Sequence, residues 1–225
     1  LKRAVDATLV FAQEEAGTAV CISAQGLILT CSHCIAETPF ELNLDKAWWL
    51  LFASGQVVQA KCLKWDQKRD LALLQIVAAQ GTIQKRADEN LNPTYSFPFP
   101  YTTLSPSPPP LRTPLLCTGH PGSEDLEAHQ PGKATGYDVL HISEGKFRGY
   151  AKGQDRQDNA EIGALMHDCW TYWGHSGAGL VLREGKGGEG RGKAGELVGL
   201  HSSWDEETGI RRGIGLEALW EFVEE

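Results

Sequence analysis

Eight of the chain's eleven prolines fall between Pro93 and Pro114. Proline fixes φ and has no backbone N–H, so this stretch can be neither a central strand nor a helix. It reads as a connector, 93–114, between an N-terminal half, 1–92, and a C-terminal half, 115–225. Twenty-five glycines punctuate the rest, which favours short strands and turns over long helices. The 225 residues suffice for one large all-β domain or two domains of about 100 residues each.

Thr18–Ile22 and Leu27–Thr30 are β-favouring runs around a Ser23-Ala24-Gln25-Gly26 turn and read as a hairpin. Trp48–Phe52, Gln56–Leu63 and Leu71–Val77 read as further strands, and Leu115–Thr118 resumes strand character after the prolines. Gly145–Glu161 is polar and reads as a surface loop or a hairpin with polar faces. Glu184–Gly195 carries six glycines among charges and reads as a hairpin tip between strands Gly179–Leu182 and Glu196–Leu200. Leu216, Leu219, Trp220 and Val223 follow the spacing of an amphipathic helix that closes the chain.

Lys and Arg number 21 against 29 Asp and Glu, a net charge of −8 with no basic run. Such a chain gains nothing from phosphate backbones, so nucleic acid is not an expected partner. No stretch reaches the roughly 20 apolar residues of a membrane-spanning helix, so no membrane partner is expected. Leu1–Phe11 is too short and interrupted for a signal peptide, and a start without Met fits a domain cut from a longer chain. Six cysteines are too sparse for a disulfide scaffold.

Three segments carry the chemistry: Thr30-Cys31-Ser32-His33-Cys34 at a strand end, Asp70-Leu71-Ala72-Leu73-Leu74 opening a buried strand, and Gly174-His175-Ser176-Gly177-Ala178-Gly179 in a glycine-rich turn. Each alone also fits a bland role, as a structural histidine, a turn aspartate or a plain turn. Together they supply what acyl transfer needs. A serine hydroxyl is a poor nucleophile near neutral pH without a base in hydrogen-bond reach, and that base needs a third group to fix its tautomer. Glycines beside the serine let backbone N–H groups converge on a tetrahedral oxyanion.

These motifs resemble those of the trypsin-like, chymotrypsin-fold serine peptidases, nearest the HtrA-type and glutamyl-endopeptidase-type branch. Gly119-His120-Pro121, Asp168 with its Gly-x-Ser-Gly, and Val198-Gly199-Leu200-His201 extend the match. The resemblance implies an all-β fold of two six-stranded antiparallel Greek-key barrels with a C-terminal helix, His33 and Asp70 on the first barrel and Ser176 on the second. It implies a serine endopeptidase with Ser176 as nucleophile, His33 as general base then acid, Asp70 as its orienting carboxylate, and the N–H groups of Gly174 and Ser176 as the oxyanion hole. It implies a polypeptide substrate and no cofactor.

The chain departs from the digestive enzymes of that family in informative places. His175 stands where enzymes activated by N-terminal cleavage carry an aspartate, so that activation route is not expected. Cys34 follows His33 as in the family, but its usual disulfide partner has no counterpart, which favours free thiols and an intracellular setting. Thr171, five residues before Ser176, and His201 match the positions with which glutamyl endopeptidases and viral 3C-type peptidases recognise an acidic or amide P1 side chain. Trp170 falls where trypsin has its pocket aspartate, which disfavours a basic P1. Glu or Gln at P1 is therefore the expected preference, with Trp170, Tyr172 and Trp173 crowding the pocket rim.

Other readings fit less well. Cys31-Ser32-His33-Cys34 lacks the second pair of ligands a structural zinc site needs, so no metal is expected. Gly187–Ala194 nearly spells a phosphate loop, but Ala194 replaces the magnesium-binding hydroxyl and a strand follows. The alternative from another class is a catalytically silent peptidase-like scaffold serving as a binding or regulatory module. The Pro-rich connector and the Gly185–Gly195 tip are candidate surfaces for a regulatory partner or neighbouring domain, or simply solvated insertions.

Overall fold

The runs of β-branched and aliphatic residues between glycine turns all become strands. A computed structural model describes residues 1–12, 17–80, 98–184 and 192–225. After a short helix α1 (Lys2–Asp6), the first barrel comprises β1 (Thr8–Phe11), β2 (Thr18–Cys21), β3 (Leu27–Thr30), β4 (Ala47–Phe52), β5 (Val57–Asp66) and β6 (Leu71–Ala79). The second comprises β7 (Pro114–Gly119), β8 (His141–Tyr150), β9 (Leu165–His167), β10 (Gly179–Leu182), β11 (Leu197–Trp204) and β12 (Arg211–Gly215), and α2 (Leu216–Glu224) closes the chain.

Both sheets are antiparallel and closed, in the orders β1-β2-β3-β6-β5-β4 and β10-β11-β12-β9-β8-β7. This is the chymotrypsin-like architecture of two six-stranded barrels. Closure leaves no open sheet edge to template association. Pro114 opens β7, the position at which a strand tolerates the missing N–H. The described part of the connector makes one bridge, Leu104 to Leu197, outside named strands; its residues 93–97, and 185–191 of the glycine-rich tip, lie outside the described residues.

Two differences from the sequence reading matter for the site. Gly145–Tyr150 is the second half of β8 and pairs antiparallel with β9, nearer the polar-faced hairpin than the loop of the sequence reading, with exposed Glu144, Lys146 and Arg148 alternating with more buried neighbours. The polar face of that strand is solvated while Ser143 and Phe147 point inward. The short strands β1, β9 and β12 give almost no periodic signal of their own.

Each barrel has its own core. Leu9, Ile28, Leu50, Val58 and Leu74 fill the first; Leu115, Leu165, Leu180 and Val198 fill the second. A third apolar cluster straddles them, joining Val20, Leu29 and Leu71 to Leu116, Val181 and Leu200, with Leu219 and Phe222 of α2 packed in. It fixes the barrels against each other and so fixes the groove between them.

Candidate active site

His33 lies in a single 3-10 turn, Ser32–Cys34, where the chain leaves β3. Trp65 on β5 donates its indole N–H to the Ser32 carbonyl at 3.0 Å and pins that turn. Asp70 sits at the entry to β6 with φ of 53°, a left-handed conformation that aspartate tolerates better than most residues. The two side chains meet: His33 Nδ1 is 2.9 Å from Asp70 Oδ1 and 3.1 Å from Oδ2. Ser32 Oγ donates to Oδ1 at 2.9 Å, Ser202 Oγ donates to Oδ2 at 2.8 Å, and the His33 backbone N–H reaches Oδ1 at 3.3 Å.

This carboxylate is buried but heavily bonded. Burial opposes its charge, yet the bonds from His33, Ser202 and Ser32 together hold Asp70 below the usual carboxylate range. Burial likewise opposes a charged His33, but the bond and charge of Asp70, with Glu37 further off, outweigh it and raise the imidazole above its ordinary 6.5. With Asp70 ionised, neutral His33 carries its proton on Nδ1 and leaves Nε2 bare as a base.

Ser176 comes from the second barrel, in the tight loop between β9 and β10. It shares one cavity of about 370 Å³ with His33, Asp70, His201 and Ser202. Ser176 Oγ donates to the Ser202 carbonyl at 3.2 Å and makes no hydrogen bond to His33 among the described residues.

The loop is set by close backbone contacts. A Cβ on Gly177, at φ +84°, would fall 2.1 Å from the Thr18 carbonyl oxygen, so only glycine fits. Thr18 of β2 braces the loop from the other barrel: its N–H donates to Ser176 O at 2.9 Å and its hydroxyl donates to Gly174 O at 2.8 Å. The Trp173 carbonyl accepts from Gly122 N–H at 2.6 Å, which turns it away from the serine. The N–H groups of Gly174 and Ser176 have no backbone acceptor among the described residues.

His175 is fully buried, its Nδ1 within 3.1 Å of the Tyr172 N–H and 3.0 Å of the Tyr172 carbonyl. Burial pushes it down to about 4, so a neutral ring ties down the turn without a charged partner.

The expected P1 residues divide. His201 lines the cavity, with Nδ1 3.1 Å from Nε2 of His167. Thr171 is buried and does not line the cavity, and its hydroxyl has no partner among the described residues. Trp170 does not line the cavity; its ring packs on His141, Tyr137, Tyr172 and His175. Trp173, exposed at the rim, meets Trp204 edge-on at 4.8 Å. The sequence reading missed Ser202, although its place directly after the Gly199-Leu200-His201 strand was a usable signal, and it missed Thr18 and Ser32, which also bond into this site.

All six cysteines are free thiols. Cys31, His33 and Asp70 present donor atoms within 4.8 Å of one another. A metal there would have to displace the hydrogen bonds of Asp70 and ionise a buried thiol that burial, Asp70 and Cys34 hold well above its ordinary range. Those residues therefore fit a metal poorly.

The fold and this cleft define a class, and comparison with known proteins names the family. Residues 17–186 match the model of the trypsin-like peptidase domain, so the chain belongs to the trypsin-like peptidase family. Among solved structures it resembles a serine endoprotease from Yersinia pestis at 20% identity and TM-score 0.62, covering 99% of this chain and 63% of that one. It also resembles the HtrA-type protease AlgW, solved with a tripeptide, at 20% identity and TM-score 0.65, covering 99% and 60%. A third likeness is an inactive form of Rv3671c from M. tuberculosis H37Rv at 12% identity and TM-score 0.64, covering 99% and 87%. The chain thus spans less than two thirds of the first two. No curated protein matches it. Among the described residues no helix is long and apolar enough to cross a membrane.

Proposed function

We propose that the chain hydrolyses peptide bonds through a His33–Asp70–Ser176 triad, with residues 1–92 and 115–225 as its two functional halves. The observation that carries this reading is the hydrogen-bonded His33–Asp70 pair opening onto the same cavity as Ser176. Ser176 Oγ attacks the scissile carbonyl as its proton passes to His33 Nε2, after a χ1 rotation that takes the hydroxyl off Ser202 O. Asp70 holds the imidazolium without taking its proton. The oxyanion accepts N–H bonds from Gly174 and Ser176, each such donor being worth about 10²–10³ in rate. The C–N bond then breaks, His33 gives its proton to the leaving amine, and water attacks the acyl-enzyme with His33 again as base. His201 and Thr171 offer neutral donors to a P1 carboxylate or carboxamide, so Glu or Gln is the preferred P1 residue.

One observation favours a second reading, a silent scaffold: Ser176 Oγ is bonded to Ser202 O, and the Trp173–Trp204 pair narrows the rim. A fluorophosphonate probe separates the two. Labelling of the wild type that is lost in Ser176→Ala supports the peptidase; no labelling of a folded wild type, checked by circular dichroism, supports the scaffold.

A further inference from the structure

The side chain that opens β12 is a cation without an anion among the described residues. Arg211 Nη1 donates to Gly209 O at 2.9 Å and Nη2 to Thr171 O at 3.3 Å, while Nε is enclosed with no partner among the described residues. Its guanidinium carbon lies 5.8 Å from the centre of the Trp204 ring, which lines the cavity. No carboxylate lies within ion-pair distance of Arg211 among the described residues. The next residue, Arg212, shows the contrast. Successive strand side chains point to opposite faces, and Arg212 turns to the buried face, where Gly163 O, Gln154 Oε1 and Asp205 take its N–H groups and charge. Arg211 turns to the face shared with Thr171 and Trp204, its cross-strand neighbour.

The histidines beside it decide what a ligand meets. His167 and His201 share one hydrogen bond at 3.1 Å, and His167 Nδ1 is enclosed with no partner among the described residues. An enclosed N–H left unpaired is rarer in proteins than an unpaired acceptor. His167 therefore carries its proton on Nε2 and donates to His201, and His201 carries its own on Nε2, free for a ligand in the cavity it lines. Burial, with the charge of Arg211 contributing, keeps both rings neutral. Neutral donors such as His201 Nε2–H and the unpaired Thr171 hydroxyl recognise a carboxylate and a carboxamide alike. Only a cation tells them apart.

We infer that Arg211 makes the primary pocket selective for a carboxylate, so that the substrates are polypeptides cut after glutamate, with glutamine a poor second. This deepens the P1 preference proposed above and rests on that reading. The Glu37, Glu161 and Glu206 carboxylates around the same cavity are exposed and screened by solvent, so they do not cancel a half-buried guanidinium.

The test uses fluorogenic peptides that differ only at P1, as Glu, Gln, Leu or Lys, at low salt. The expected Glu-over-Gln ratio in kcat/KM is about 10–100, the usual gain of a hydrogen bond to a charged group. Arg211→Gln brings that ratio to about one, and Arg211→Lys keeps much of it, which also guards against a variant that fails to fold. A wild-type ratio near one overturns the inference, as does a loss in Arg211→Gln that is equal on both substrates. Fluorophosphonate labelling of Ser176 is run in parallel. Labelling without Glu selectivity sinks only the role of Arg211, whereas no labelling sinks the peptidase reading and this inference together.

Discussion

Asp70 concentrates the site's electrostatics in one residue. Four donor groups converge on a buried carboxylate held at positive φ, an arrangement that persists only because the surroundings over-determine it. Asp70→Asn keeps the shape but removes the charge and permits the wrong His33 tautomer, so kcat is expected to fall by about 10⁴. The pH dependence has a definite sign. His33 must be neutral to accept a proton, so activity climbs as pH rises through its pKa, which lies above 6.5 because Asp70 and Glu37 overcome burial. Asn in place of Asp70 leaves burial dominant and moves that titration to lower pH. The His33 ring protons, followed by NMR in both proteins, report it directly; an unmoved or raised midpoint would contradict this account of the pair.

At the scale of elements, the loop from Thr171 to Gly177 is where backbone geometry bears on the proposed chemistry. Gly177→Ala forces a Cβ to within 2.1 Å of Thr18 O at a positive φ. It is expected to cost about 1–3 kcal/mol in strain and to abolish fluorophosphonate labelling by displacing Ser176. A thermal melt beside the labelling assay checks both, and retained labelling would show that the loop is not so tightly held. The same elements show what a sequence can and cannot disclose. β2, β3, β4, β6 and β10 were legible because their aliphatic runs end at glycine or serine turns, and α2 because four apolar residues share one helical face. β9 is three residues long and β12 reads Arg-Arg-Gly-Ile-Gly, so neither has a period to detect; their neighbours in the sheet make them strands. That His33, Asp70 and Ser176 would share one cavity was legible because each sits in a short motif whose chemistry restricts the residue types. Arg211 was not, since an arginine after a turn looks like a solvated charge until the fold turns it toward Thr171 and Trp204.

The whole molecule matters because no single barrel holds the site. His33 and Asp70 belong to the first, Ser176 to the second, and their relation depends on how the barrels dock. The apolar cluster around Leu29, Leu71, Leu200 and Phe222 supplies cohesion, but apolar packing is non-directional. Register comes from polar contacts across the seam, above all Thr18. Its hydroxyl donates to Gly174 O and accepts from His120 N–H at 2.9 Å, while its backbone N–H donates to Ser176 O at 2.9 Å. Thr18→Val preserves volume and backbone but strands the Gly174 carbonyl and the His120 N–H, at about 1–3 kcal/mol for each group left buried and unpaired. Both barrels should still fold, with a thermal midpoint lower by about 2–4 °C for each kcal/mol lost. The Gly174 peptide, freed from its brace, should lose its orientation, so probe labelling of Ser176 should slow at least as much as in a variant that removes an oxyanion donor, about 10²-fold. If labelling slows only in proportion to the fraction of protein unfolded, Thr18 is a stability residue alone. A large loss of rate in a protein that is still folded would make the seam between the barrels part of the catalytic apparatus.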